Sequence, residues 1–104
     1  MQLHFHKSEL KTGMMVELCN GMRYTVMLDT CMDGRNLLTG GKNGYGWLSL
    51  DKYNDSLVFS DKGITEKDDT MFWSVKRVYA PNNVGAVGKF KDHHILWERM
   101  NSYV

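Results

Sequence analysis

The sequence has a single proline, two cysteines, no long apolar run and almost no net charge. Its longest apolar stretches are only a few residues, which excludes a transmembrane helix. The first residues, MQLHFHKSEL, lack the basic start and apolar centre of a signal peptide, so we expect a cytoplasmic protein. Two cysteines without CxxC spacing suit a reducing compartment and predict free thiols.

The charge balance also limits the choice of partners. Thirteen basic and 12 acidic residues give a formal net charge of +1. Charge alone therefore gives no reason to expect tight nonspecific binding to nucleic acid or to an anionic membrane. The 104 residues predict one domain, 1–104, and an apolar content of 42% is sufficient for its core.

The clearest pattern is a hairpin over residues 13–28, where apolar and polar residues alternate on both sides of Asn20-Gly21. The alternation predicts two antiparallel strands, and Asn-Gly favours a two-residue turn with positive φ at both positions. We expect this hairpin to form first, and its position in the chain would allow Cys19 to lie close to Cys31. The outward positions form a candidate protein-contact surface of Met15, Glu17, Arg23 and Thr25.

Further short strand candidates follow, separated by glycine, asparagine and aspartate. These candidates are Asn36–Thr39, Trp47–Leu50, Leu57–Phe59, Met71–Ala80 and His94–Arg99. Single helical turns are expected after Ser8, as a cap, and at 51–56. The pattern predicts a mostly β fold, a small SH3-like, partly open barrel of five to six antiparallel strands with at most one or two short helical turns.

The loop from Gly40 to Gly46 is the first candidate ligand site. Its glycines would let backbone N–H groups approach an anion, and Lys42 adds a positive charge. Tyr45 and Trp47 are two residues apart and could offer a stacking surface for a base. The alternative is a long hairpin turn in which Trp47 fills the core.

A second candidate ligand site is the stretch from Gly85 to Lys91, where Lys89 and Lys91 flank an aromatic residue. Basic residues interleaved with an aromatic ring suit a phosphate backbone, and Arg77 could add charge. The alternative is a solvated sheet edge. Trp73 and Trp97 are predicted to anchor the core, since aromatic side chains dominate the energetics of small cores.

We predict no catalytic residue, no metal site and no cofactor. Neither cysteine has a spacing that places it beside a histidine base. His4 and His6 would share one face of a strand, but the chain lacks the CxxC or HxxxH spacing of a closed zinc site. The chain is therefore expected to be a binding protein and not an enzyme.

Four segments carry a resemblance to small accessory proteins of phages and prophages from intestinal Gram-positive bacteria. They are LKTGMMVELCNGMRYTVML, GYGWLSLDKYNDSL, SVKRVYAPN and HHILWER. The resemblance implies an SH3-like fold without catalytic residues. It also implies a role against host antiviral defence, by sequestering a nucleotide immune signal or by binding a defence protein in the cytoplasm of the host bacterium.

Two alternatives remain open at this point. The hairpin is similar in rhythm to that of KOW-type modules, which bind nucleic acid on SH3-like barrels, although the near-neutral charge counts against this function. An oligomer-forming structural phage protein is the other alternative. We expect some form of homo-oligomer, because symmetric dimers are common and exposed strand edges can pair.

Overall fold

The computed structural model describes residues 3–60, 70–81 and 94–100. Six strands form one antiparallel sheet in the order β4-β3-β2-β1-β5-β6, which confirms the mostly β class and the predicted strand number. The strands are β1 (Met15–Leu18), β2 (Arg23–Met27), β3 (Leu37–Gly40), β4 (Gly46–Ser49), β5 (Val75–Tyr79) and β6 (Ile95–Glu98). The sheet is open, with β4 and β6 at its two edges.

Three short helical turns accompany the sheet: 3-10 turns at Lys7–Glu9 and Leu50–Lys52, and one α-helical turn, α1 (Thr70–Trp73). The sequence predicts Ser8 as the cap of the first of these turns. The cap is instead the ring of His6. Among the described residues, no helix has the length and apolar character needed to span a bilayer.

The β1–β2 hairpin forms as predicted, but its turn is of another type. Leu18 N donates to Met22 O at 2.9 Å, and Gly21 N donates to Leu18 O at 2.9 Å. The turn therefore contains three residues, and only Gly21, at φ +87°, has positive φ. The predicted two-residue turn is wrong, because Asn20 instead accepts a bond from Met22 N at 2.8 Å through its Oδ1.

A turn with two consecutive positive φ values lies in the connection between β2 and β3. Asp33 and Gly34 have φ of +55° and +70°. The connection closes on itself, since the backbone N and Oγ1 of Thr30 donate to Arg35 O at 3.0 and 2.9 Å. Residues 31–36 are all exposed.

The two cysteines are free, as predicted, but they do not lie near each other. Cys19 lies in the turn between β1 and β2, and Cys31 lies in the connection between β2 and β3. Successive connections of an antiparallel meander lie at opposite ends of the sheet. The proximity that the sequence allowed for the two thiols is therefore not realised.

The predicted strand Met71–Ala80 is wrong over its first third, where the chain forms α1. The buried Ser74 ends this turn, since its Oγ donates to Thr70 O at 2.8 Å and accepts from Phe59 N at 2.9 Å. The predicted strand Leu57–Phe59 reduces to one isolated bridge between Tyr53 and Phe59. These segments cover the core and do not extend the sheet.

The core lies on one face of the sheet. Its members are Phe5, Leu10, Met14, Val16, Leu18, Tyr24, Val26, Leu38, Leu50, Tyr53, Leu57, Phe59, Val75, Val78 and Trp97. The predicted core role of Trp97 is confirmed, and Trp73 packs against the same cluster. Met15, expected to point to solvent, is on the opposite face and only 8% exposed.

Arg99 ties the end of β6 to the cover of the core. Its Nε donates to Val75 O at 3.0 Å, and its Nη2 donates to Ser56 O at 3.0 Å and to Leu57 O at 3.4 Å. The guanidinium also lies 5.0 Å from the ring centroid of Trp97. Burial lowers the pKa of Arg99, and these carbonyls offset the loss of hydration.

Candidate functional site

The loop that joins β3 to β4 is built on backbone geometry that glycine adopts readily. Gly40 and Gly41 have φ of +136° and +81°. A Cβ at Gly40 would lie 3.0 Å from Arg23 O, and one at Gly41 would lie 3.2 Å from Tyr24 Oη. The glycines let the loop pass closely over β2, so part of the glycine density has a purely structural cause.

Lys42 and Tyr45 project from the tip of this hairpin. The tip is closed by a bond from Gly44 N to Gly41 O at 3.2 Å. Lys42 is exposed, and Tyr45 is 92% exposed. A cation and an aromatic ring are thus presented to solvent three residues apart.

Trp47 lies on β4, on the face opposite the core. It pairs with Thr39 of the neighbouring strand β3, and its side chain is 48% exposed. Leu38 and Leu48 occupy the core-facing positions of the same two strands. The alternative in which Trp47 fills the core is therefore wrong.

A shallow depression of about 410 Å³ lies beside the tip of the hairpin. It forms because the β1–β2 turn and the β3–β4 loop meet at the same end of the sheet. Two basic residues, the backbone of two glycines and two further side chains line it: Arg23, Lys42, Gly21, Gly41, Asn20 and Met22. The Nδ2 of Asn20 is buried and has no hydrogen-bond partner among the described residues.

Arg77 does not reach this depression, because it is engaged in a charged row on the face opposite the core. The row crosses three adjacent strands, β6, β5 and β1, as Glu98, Arg77 and Glu17. Arg77 forms a close ion pair with Glu98, and its Nη1 lies 3.2 Å from Glu17 Oε1. Tyr79 Oη donates to the same Glu17 oxygen at 2.9 Å.

These contacts hold the charged guanidinium of Arg77 between two carboxylates of neighbouring strands. Burial opposes the charged guanidinium, but hydrogen bonds and attraction from Glu98 and Glu17 together raise the pKa of Arg77. Two carboxylates face one cation, which leaves one negative charge in excess, so Arg77 offers no excess positive charge to a ligand. Its observed role is to connect β1, β5 and β6.

Lys89 and Lys91, the other predicted ligand contacts, lie outside the described residues. The strands on either side of them are described: β5 ends at Tyr79, and β6 begins at Ile95. The candidate site therefore consists of described residues only, those that line the depression and the neighbouring Tyr45.

Two tyrosines of the core have raised pKa values, and one of them, Tyr24, lies beneath the loop. Burial raises the pKa of Tyr24, whose ring is overlain by Gly41. Burial, followed by the nearby Tyr24 and Cys19, raises the pKa of Tyr53 far above its ordinary value. Tyr53 Oη donates to Trp73 O at 2.7 Å, so this neutral phenol is a structural donor.

The remaining polar clusters are on other parts of the surface. His4 and His6 precede the first 3-10 turn and are not on a strand, and His6 Nε2 lies 3.4 Å from Asp55. Within residues 3–60, 70–81 and 94–100, no three His, Cys, Asp or Glu side chains are grouped so that they could hold a metal ion.

Sequence reasoning did not place Arg23 and Asn20 beside Lys42. The signal was present, because the first and third connections of a meander must share one end of the sheet. The β1–β2 turn and the glycine-rich loop lie side by side because Tyr24 of β2 pairs with Gly40 of β3. That register could not be read from either segment alone.

Comparisons with protein-family models, curated proteins and solved structures gave no significant match to this chain.

Proposed function

We propose that this chain is a non-enzymatic binding protein that holds a nucleotide-class anion in the depression between the β1–β2 turn and the β3–β4 loop. The observation that carries the proposal is the lining: Lys42 and Arg23 beside the glycine backbone, in a space of about 410 Å³. Small-ligand sites are concavities of roughly 300–1,000 Å³ with a few convergent polar groups.

The chemistry of the surroundings fits a phosphate next to a base. Lysine is a point charge for phosphate, and Tyr45, which is 92% exposed, offers a ring on which a base can stack. The described lining contains no carboxylate, thiol or imidazole, so the proposal assigns binding and no bond cleavage to this site.

The biological setting of the proposal comes from the sequence resemblance. A phage accessory protein that holds a nucleotide immune signal would antagonise antiviral defence in the cytoplasm of its bacterial host. Sequestration requires one protein molecule for each signal molecule and sufficient affinity, but no catalytic turnover. A domain of 12.0 kDa with an open site suits this role.

The first experiment is native mass spectrometry of the protein purified from bacterial cells in which such signals are made. We expect a retained nucleotide that is released unchanged on denaturation. Recovery of a cleaved nucleotide would contradict the non-enzymatic proposal, and a stoichiometric host protein in place of any nucleotide would favour a defence protein as the target.

Calorimetric titration with linear and cyclic dinucleotides then tests the site. Lys42→Ala is expected to weaken binding about tenfold, which corresponds to about 1.4 kcal/mol, and Tyr45→Ala by a similar factor. Lys11→Ala is the matched control, because Lys11 is also exposed but precedes β1 at the other end of the sheet. Equal affinity of all three variants and the wild type would overturn the assignment.

Single-stranded nucleic acid is the second candidate ligand, favoured by the exposed ring of Tyr45 beside Lys42. A salt titration separates the two candidates. Binding to a phosphate backbone weakens with a steep logarithmic slope that grows with the number of phosphates neutralised, whereas a single nucleotide gives a shallow slope.

A further inference from the structure

Two Asn-Gly dipeptides occupy equivalent turns at the same end of the sheet. Asn20-Gly21 lies in the β1–β2 turn, and Asn43-Gly44 lies in the β3–β4 loop. In each turn the glycine N donates to the carbonyl oxygen three residues earlier, at 2.9 Å for Gly21 and 3.2 Å for Gly44. Both glycines have positive φ, +87° and +77°. The two dipeptides therefore have closely similar backbone surroundings.

Asparagine followed by glycine is prone to spontaneous deamidation, because glycine has no Cβ to hinder an attack by its own backbone nitrogen. That nitrogen attacks Cγ of the asparagine side chain, and the new N–Cγ bond closes a succinimide ring. The Cγ–Nδ2 bond breaks, and Nδ2 leaves as ammonia with the proton that the backbone nitrogen has lost. Water then opens the ring at either carbonyl, which gives aspartate or isoaspartate.

The side chain of Asn20 is held in a position that hinders this reaction. Its Oδ1 accepts from Met22 N at 2.8 Å, and its Nδ2 is buried. Closing the ring requires Cγ to rotate, which breaks the bond to Met22, and the ammonia has to depart from a buried position. The attacking nitrogen, that of Gly21, is also held by the shorter of the two turn bonds. The folded structure thus protects Asn20.

Asn43 lacks this protection. It is exposed, and its side chain forms no hydrogen bond within the part of the chain that the structure describes. Its Cγ is free to rotate towards the backbone nitrogen of Gly44, which is held by the longer turn bond. Its Nδ2 is in contact with water, so the leaving ammonia has a direct path to solvent.

We propose that Asn43 is a site of spontaneous deamidation, and that the carboxylate formed there lowers the affinity of the neighbouring depression for anions. The effect on affinity rests on the proposed function, since Lys42, which lines the depression, directly precedes Asn43. Conversion of one amide to a carboxylate changes the formal net charge from +1 to 0. Isoaspartate also adds a methylene to the backbone of the turn. Each protein molecule thus loses affinity with age, and it does so faster at alkaline pH, where the backbone nitrogen is more readily deprotonated.

Peptide mass spectrometry of the folded protein, incubated at mildly alkaline pH, tests the site. Trypsin separates the two asparagines, because Arg23 and Lys42 lie between them. The peptide that begins at Asn43 should deamidate at least about tenfold faster than the one containing Asn20, because reaction at Asn20 requires local opening of its turn. In denaturant the two rates should become similar. A sample digested without incubation corrects for reaction within the peptides.

Asn43→Gln is the matched control for the site. It keeps the amide, but the ring that glutamine would close has one more atom and forms far more slowly. Its peptide should therefore keep its mass, and the same mass gain as in the wild type would overturn the assignment. Equal rates at Asn20 and Asn43 in the folded protein would also overturn it. So would an unreacted Asn43 after a time in which the denatured chain reacts.

Calorimetric titration with linear and cyclic dinucleotides tests the effect on affinity. Asn43→Asp carries the charge from the start and should weaken binding about threefold to tenfold, whereas Asn43→Gln should bind like the wild type. Lys11→Ala makes the same change in net charge at the other end of the sheet and should have no effect. Circular dichroism shows whether each variant is folded.

The two measurements fail separately. A folded Asn43→Asp variant that binds as tightly as the wild type would overturn the effect on affinity. A wild type that binds no nucleotide would contradict the proposed function and the effect on affinity together, while the peptide masses would still decide whether Asn43 deamidates.

Discussion

At the scale of single residues, buried polar groups in this protein act as ties between segments distant in sequence. Arg99 reaches the carbonyl oxygens of Val75, Ser56 and Leu57, and Tyr53 reaches that of Trp73. Ser56, Leu57 and Trp73 lie outside the strands, and Leu57 O also accepts from Val75 N at 3.1 Å. Removing a donor that is an oxygen's sole partner costs more than the net value of a hydrogen bond.

Tyr53 makes stability depend on pH in the alkaline range. Its pKa is raised in the folded state above the ordinary value of 10.0, so the folded state disfavours the phenolate. The stability contributed by the neutral phenol is fully present below about pH 10 and is lost as the pH rises above it. We expect denaturant midpoints that decline above pH 10, measured together with the ultraviolet absorbance of the phenolate.

The matched variant is Tyr53→Phe. It should lower the free energy of unfolding at neutral pH by about 1–2 kcal/mol, since the bond to Trp73 O is lost. Its stability should then decline less steeply above pH 10, with the remaining slope due to other groups such as Tyr24. An alkaline slope identical to that of the wild type would show that Tyr53 is not the group responsible.

At the scale of elements, local alternation predicted the strands well, and contacts distant in sequence decided the rest. The arms of the first hairpin are defined by residues within 13–28, so β1 and β2 could be recognised. Thr70–Trp73 is apolar and aromatic and resembles a strand, yet Ser74 bonds both to Thr70 and to Phe59 and fixes a helical turn. No local pattern contains the position of Phe59.

The candidate site was predictable to a similar extent. The composition of the β3–β4 loop singled out Lys42 and Tyr45 as candidate ligand contacts, and both are exposed. The alternation of β4 could not show which face carries the core, and so the alternatives for Trp47 stayed open. The pairing of Thr39 with Trp47 on the face opposite the core decides it.

The glycine pair at the β3–β4 loop offers a test at this scale. Gly41→Ala should lower the free energy of unfolding by about 2–3 kcal/mol, because it combines positive φ with a Cβ 3.2 Å from Tyr24 Oη. Gly44→Ala has nearly the same φ, +77°, but open space around the added Cβ, so it should cost only about 1 kcal/mol. Denaturant unfolding measures both.

A double variant isolates the contact with the hydroxyl. In a Tyr24→Phe background the cost of Gly41→Ala should fall towards that of Gly44→Ala, because the oxygen nearest the added Cβ is gone. If Gly41→Ala and Gly44→Ala proved equally costly from the outset, close approach to β2 would not be what requires glycine in the loop.

At the scale of the whole molecule, β1 lies between a local partner and a remote one. Its pairing with β2 closes a short turn, whereas its pairing with β5 joins Leu18 to Val75 across the chain. Closing the longer loop costs more chain entropy, so the local meander should form before β5 docks. This gives a physical basis for the expectation that the first hairpin forms early.

Two fully buried valines allow that order to be measured. Val26, on β2, and Val78, on β5, are both 0% exposed, and truncation of either to alanine should cost about 1–3 kcal/mol. Val26→Ala should mainly slow folding, and Val78→Ala should mainly speed unfolding, in stopped-flow experiments over a range of denaturant. The opposite assignment of the two rates would place the nucleus at β1–β5.

The connection between β2 and β3, which is closed at its base, can change in sequence and length without disturbing the sheet. Because Thr30 and Arg35 fasten its base and residues 31–36 are exposed, the sheet does not depend on what lies between them. Such a loop is where a lineage can acquire new residues, and where an experimenter can insert an epitope, at little cost to the fold. The exposed Cys31 within it is already a handle for attaching a fluorophore at the end of the sheet opposite the β3–β4 loop.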